Sequence, residues 1–146
     1  MMNRTRLFLA TLLLMFSAAS ILPQRAAADE DDPPSRVARL SFTRGEVSFG
    51  PAGTDDWVSA VLNRPITTGD KLWTGDDARA ELHLGSMAVR LGQQTGFSFL
   101  NLSDRMTQIR LTEGTLNLRV RRINEDESIE IDTPNLAFSV LRPGRY

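Results

Sequence analysis

Residues 79–91 read Arg79-Ala80-Glu81-Leu82-His83-Leu84-Gly85-Ser86-Met87-Ala88-Val89-Arg90-Leu91. Ala80, Leu82 and Leu84 alternate with Arg79, Glu81 and His83; after Gly85-Ser86 the alternation resumes with Met87, Val89 and Leu91 against Ala88 and Arg90. A period of two sends successive side chains to opposite faces of an extended chain, whereas a helix needs apolar residues every three or four. Gly-Ser between two such runs is hairpin turn chemistry. The stretch predicts a β-hairpin with one apolar face, and that face needs a second layer to cover it.

The same period extends in both directions. Ala38, Leu40 and Phe42 share one parity, and Val47 and Phe49 restart it after Arg44-Gly45. Downstream, Ile109 and Leu111 precede Glu113-Gly114, after which Leu116, Leu118 and Val120 alternate with Asn117, Arg119 and Arg121. Ile129 and Ile131 alternate with Glu130 and Asp132, and Leu136, Phe138 and Val140 follow the corner Thr133-Pro134-Asn135. No window past residue 35 has helical spacing. Short antiparallel strands separated by Gly, Pro, Asn or Asp predict an all-β domain: a sandwich, a jelly-roll-like fold or a rolled β-solenoid. Phe42, Phe49, Trp57, Trp73, Phe97, Phe99 and Phe138 are the bulky candidates for its core. The shape shared by Arg44-Gly45-Glu46-Val47-Ser48-Phe49 and Glu113-Gly114-Thr115-Leu116-Asn117-Leu118 reads as repeated turn geometry rather than duplication.

A chain of 146 residues holds one such domain. Its start reads differently. Arg4 and Arg6 precede an apolar stretch from Leu7 to Leu22, then Pro23 and the small-residue ending Ala26-Ala27-Ala28. These are the parts of a secretory signal peptide, predicting a signal helix over residues 1–28 and cleavage after Ala28. The stretch is interrupted by Thr11, Ser17 and Ser20 and falls short of the ~20 apolar residues a spanning helix prefers, so no membrane span is expected after cleavage. Residues 29–35, Asp-Glu-Asp-Asp-Pro-Pro-Ser, read as an acidic tether, with a calcium site at Asp29, Asp31 and Asp32 as the lesser alternative. Residues 36–146 are the β-domain.

The signal segment takes three of the 17 basic residues and none of the 18 acidic ones, leaving 14 against 18 in the processed chain. That mild acidity gives no reason to expect a nucleic-acid partner. The absence of cysteine excludes disulfides, thiolate metal sites, a thiol nucleophile and a lipidated-cysteine anchor. No cofactor is expected.

Candidate chemistry is sparse. Gly69-Asp70 reads as a turn, glycine supplying a positive φ and aspartate binding turn backbone; Gly85, Ser86, Gly114 and Pro134 are likewise read as structural turn residues. His83 is the sole histidine, predicted on an outward strand face with no second histidine or cysteine to complete a metal site. Asp55-Asp56 and Asp76-Asp77 are acids of turns, although a carboxylate pair could serve a glycosidase. Ser86 lacks the G-x-S-x-G elbow of a hydrolase nucleophile. Arg119 and Arg121 share a strand face beside Arg122, and with Arg110 on a partnering strand they would form a guanidinium patch for carboxylates or anionic glycans. The plainer alternative is an exposed charged face paired with Glu130 and Asp132.

The pattern resembles the FecR domain. The resemblance rests on Val37 to Val47 with Arg44-Gly45-Glu46-Val47, then Trp57 and Ile66-Thr67-Thr68-Gly69-Asp70-Lys71-Leu72-Trp73-Thr74. It continues through Ala78 to Leu82, Gly85-Ser86, Val89-Arg90-Leu91, Thr95, Leu111 to Leu116 and Ile129-Glu130-Ile131-Asp132-Thr133-Pro134. It implies a periplasmic signalling module of the kind that senses transport of ferric citrate and related siderophores. Those regulators reach a cytoplasmic sigma factor through a membrane helix, whereas the signal peptide here is closer to secreted proteobacterial proteins carrying a FecR-like domain. The family's Val-x-Gly-Thr turn near the last strand is replaced by Ser139-Val140-Leu141-Arg142-Pro143-Gly144, so the domain is read as shortened at its C-terminal end.

The expectation is a periplasmic or secreted noncatalytic module that binds or senses an envelope protein or cell-wall glycan. A structural fragment of a larger envelope protein and a carboxylate-dependent glycan hydrolase are the alternatives.

Overall fold

The computed structural model describes residues 36–146. The signal helix, its cleavage point, the acidic tether and the alternative calcium site lie outside these residues. Among the described residues the strands are β1 (Ala38–Arg44), β2 (Val47–Gly50), β3 (Val58–Ser59), β4 (Pro65–Ile66), β5 (Lys71–Thr74), β6 (Arg79–Leu84) and β7 (Met87–Leu91). They continue with β8 (Thr95–Leu102), β9 (Met106–Glu113), β10 (Leu116–Val120), β11 (Ser128–Asp132), β12 (Ala137–Ser139) and β13 (Gly144–Arg145). They make an all-β fold of two sheets, one ordered β13-β10-β7-β6-β1-β4 and the other β12-β11-β9-β8-β5-β2-β3. Only β2–β3, β6–β7, β8–β9 and β11–β12 connect within a sheet; every other connection passes to the opposite one.

The alternation read at residues 79–91 is the reason for the layering. Ala80, Leu82 and Leu84 of β6 and Met87, Val89 and Leu91 of β7 are buried, and the residues between them face outward. Their apolar face joins Leu40 and Leu118 of the same sheet with Phe49, Leu72, Phe97, Phe99, Ile109 and Ile129 of the other in one core. Each of the larger side chains contributes about 1.5–3 kcal/mol by leaving water. The β6–β7 turn has Gly85 at φ 53°, the positive angle that the first position of a II′ hairpin turn requires.

Three of the seven expected core aromatics are exposed: Phe42 (49%), Trp57 (48%) and Phe138 (40%); Trp73 is half-buried. At Phe42 the cause is a register shift. Leu40 pairs with Leu82 but Phe42 with Glu81, so the irregularity at Ser41 turns Phe42 to the outer face. Trp57 precedes the two-residue edge strand β3, and Phe138 sits on edge strand β12, where its ring lies 5.7 Å from that of Tyr146. A second difference is that β9 and β11 pair in parallel, because the chain leaves for β10 in the other sheet between them.

Candidate functional site

Directly opposed residues of an antiparallel ladder share a face. The pairings therefore fix what the outer face of the first sheet presents. One cross-strand row is Arg39, His83, Ala88, Arg119 and Arg145, contributed by β1, β6, β7, β10 and β13 in turn. The next row is Phe42, Glu81, Arg90 and Asn117, and beyond it Arg44 opposes Arg79. Arg121 follows β10 at the same parity, its backbone N–H donating to the Ser86 carbonyl at 3.1 Å. All of these arginines are exposed. The only carboxylate in the two rows is Glu81.

Glu81 is already engaged. Its Oε2 accepts from Arg90 Nε at 2.6 Å, and its Oε1 lies 2.6 Å from His83 Nε2. The Arg90 hydrogen bond is the main reason the Glu81 carboxyl is held below the ordinary carboxylate range; partial burial opposes it and His83 reinforces it. Arg119 and Arg121 have no carboxylate within ion-pair distance among the described residues. Between them and His83 the surface dips into a concavity of about 280 Å3 whose floor includes Ala88.

The arginine patch expected from the sequence is thus redrawn. Arg119, Arg121 and Arg122 are adjacent, and Arg122 is tied in by the Ser86 hydroxyl, which donates to its carbonyl at 2.7 Å. Arg110 is not beside them: it lies on β9 in the second sheet, opposite Ser98 and in register with Asp132. Nor do Glu130 and Asp132 face Arg119, because β11 pairs with β9 and β12 while β10 pairs with β7 and β13. Arg39, Arg44, Arg79, Arg90 and Arg145 were missed by sequence reasoning. Each of those inside an alternating run stands at an outward position, but only the strand order brings them onto one surface.

The remaining turn residues occupy corners. Gly69 (φ 86°) and Gly114 (φ 89°) adopt left-handed backbone. The Asp70 carboxylate is only 7% exposed and accepts the N–H groups of Ala52 at 2.9 Å and Thr67 at 2.8 Å, with the Thr67 hydroxyl at 3.1 Å. Pro134 lies in the β11–β12 turn, where the Thr133 N–H donates to the Leu136 carbonyl at 2.8 Å. Asp55, Asp56, Asp76 and Asp77 are exposed; Asp76 accepts from the Gln94 amide at 2.7 Å. A buried threonine linkage went unforeseen: Thr74 Oγ1 donates to the Gly92 carbonyl at 2.6 Å and accepts the Thr95 N–H at 3.0 Å.

The fold is an all-β domain of two sheets, and the outer face of the first displays positive charge. The chain belongs to the FecR family: the family model described as FecR protein matches residues 70–143, from the start of the Asp70 corner to the approach to β13. This is a family of regulatory, noncatalytic proteins. The resembling residues between Val37 and Gly69 lie before the matched stretch. No curated protein and no solved structure matches the chain. No helix among the described residues is long and apolar enough to cross a membrane.

Proposed function

We propose that this protein is an extracytoplasmic, noncatalytic sensing module that engages an anionic cell-wall glycan through the outer face of its first sheet. Family membership supports the sensing role. The signal-peptide pattern in residues 1–28 supports export, with cleavage after Ala28. The observation that carries the choice of partner is the pair of cross-strand rows in which Arg39, Arg90, Arg119 and Arg145 meet a single, already engaged carboxylate. Guanidinium groups offer planar donor forks that match carboxylate and phosphate oxygens, and a sheet holds them at fixed spacing.

The test is co-sedimentation of the purified protein with isolated cell-wall sacculi over a salt series. Binding that weakens as salt rises, and is lost in an Arg119→Ala/Arg121→Ala double variant of unchanged melting temperature, is the expected result. Equal binding by that variant would exclude the face.

A second reading, an envelope-protein partner, draws on Trp57, Val58, Val61 and Leu62, which are exposed in the segment carrying edge strand β3. A partner retained by the arginine variant but lost on Trp57→Ala would favour it.

A further inference from the structure

The arginine face is wide, yet one point on it differs from the rest. Ala88 is the centre of a three-strand grid. On β6 its direct neighbour is His83, with Glu81 diagonal; on β10 its direct neighbour is Arg119, with Asn117 on one diagonal and Arg121 beyond the other. Along β7 it stands between Ser86 and Arg90. Opposed Cβ atoms lie about 4.5–5.5 Å apart, so a methyl group ringed by long side chains forms the floor of a socket. That socket is the 280 Å3 concavity already described.

The groups around the socket divide into committed and available donors. Ser86 spends its hydroxyl on the Arg122 carbonyl, and Glu81 holds both His83 and Arg90. Arg119 and Arg121 border the socket with no carboxylate partner among the described residues. Two guanidinium forks beside a small floor fit one carboxylate, which can accept paired N–H donors. The row also continues past the socket, to Arg145 on one side and Arg39 on the other. Neighbouring strands are about 4.8 Å apart, so the row holds Arg39 and Arg145 at fixed distances from the socket along one line across the sheet.

Resting on the glycan reading above, we propose that the socket over Ala88 is the specific subsite of this face. It takes the carboxylate of one uronic-acid residue between Arg119 and Arg121, while the chain on either side runs across the strands toward Arg39 and Arg145. The interaction is binding alone, with no bond made or broken.

The test uses the whole purified protein, with a linear oligogalacturonate as the probe and its methyl ester as the uncharged control, read by calorimetric titration. The acid is expected to bind and the ester not. Ala88→Leu keeps every charge but fills the floor, and is expected to weaken binding about tenfold at unchanged melting temperature. Ala88→Gln gives the same obstruction if the leucine variant melts early. Wild-type affinity in both obstructed variants, alongside lost binding in Arg119→Ala/Arg121→Ala, would overturn the subsite while leaving a diffuse glycan-binding face. Tighter binding of single-stranded DNA than of oligogalacturonate would overturn the ligand class. Retention on sacculi with no binding of oligogalacturonate would reject the uronate assignment but not the proposed function.

Discussion

Arg36 and Glu127, 91 positions apart in the chain, meet with Nη1 2.6 Å from Oε1, and the Glu127 side chain is only 3% exposed. The contact ties the approach to β1 to the turn between β10 and β11. Removing the arginine leaves a carboxylate with little water to replace it. Arg36→Met is expected to destabilise the domain by about 3 kcal/mol, whereas the paired change Arg36→Met with Glu127→Leu should lose less than either single change. Chemical denaturation of the four proteins in a double-mutant cycle measures both.

Asp70 makes a similar closure by a different route. Its two oxygens receive backbone donors from Ala52 and Thr67, so an asparagine would set its amide NH2 against one of those N–H groups. Asp70→Asn is expected to destabilise by about 2 kcal/mol. A melting temperature within a degree or so of the parent would refute the clasp.

Gly45 and Gly53 share nearly the same backbone angle, φ 72° and 73°, but not the same surroundings. A Cβ on Gly45 would sit 2.9 Å from the Ala78 Cα, whereas one on Gly53 would meet nothing within 4 Å among the described residues. Gly53→Ala should lose only the ~1–2 kcal/mol of left-handed backbone, and Gly45→Ala distinctly more. Equal losses in urea denaturation would show that the close approach at Ala78 relaxes freely.

Glu81 predicts a pH dependence of defined sign. Its carboxyl titrates below the ordinary value of 4.5, chiefly through Arg90, so the native state favours the ionised form. The resulting stability is present above the unfolded-state pKa and is lost as pH falls through the lower folded value. Melting temperatures of the parent and Glu81→Gln should therefore differ most near neutral pH and converge on acidification below 4.5. A gap that widens on acidification would reverse the assignment.

Thr107 is buried in β9 and its hydroxyl has no hydrogen-bond partner among the described residues. Valine has nearly the same shape without the unsatisfied group. Thr107→Val is expected to stabilise by about 1 kcal/mol, read as a higher denaturation midpoint.

How far the sequence carried the reading depended on whether a property was local. The hairpin around Gly85-Ser86 and the inward sides of β6, β7 and β10 were legible because alternation within one strand decides which side chain faces the core. Phe42 was misplaced because a single irregularity at Ser41 reverses parity without changing composition. The arginine face was half legible. Arg119 and Arg121 stand two positions apart at one parity, but their association with Arg90 and Arg145 requires β7 and β13 to flank β10, a long-range choice that no local pattern encodes. Arg110 was assigned to the same patch for want of that information. Asp70 was identifiable as a turn acid, but its reach back to Ala52 was not.

The passage of eight of the twelve connectors between layers has a further consequence. Such a polypeptide is interlaced, much as a single thread closes two pieces of cloth, and neither piece can be lifted away whole. Recombination or fusion can transplant this unit intact, but half of it has no hydrophobic backing of its own. Its evolutionary portability and its mechanical integrity are the same property.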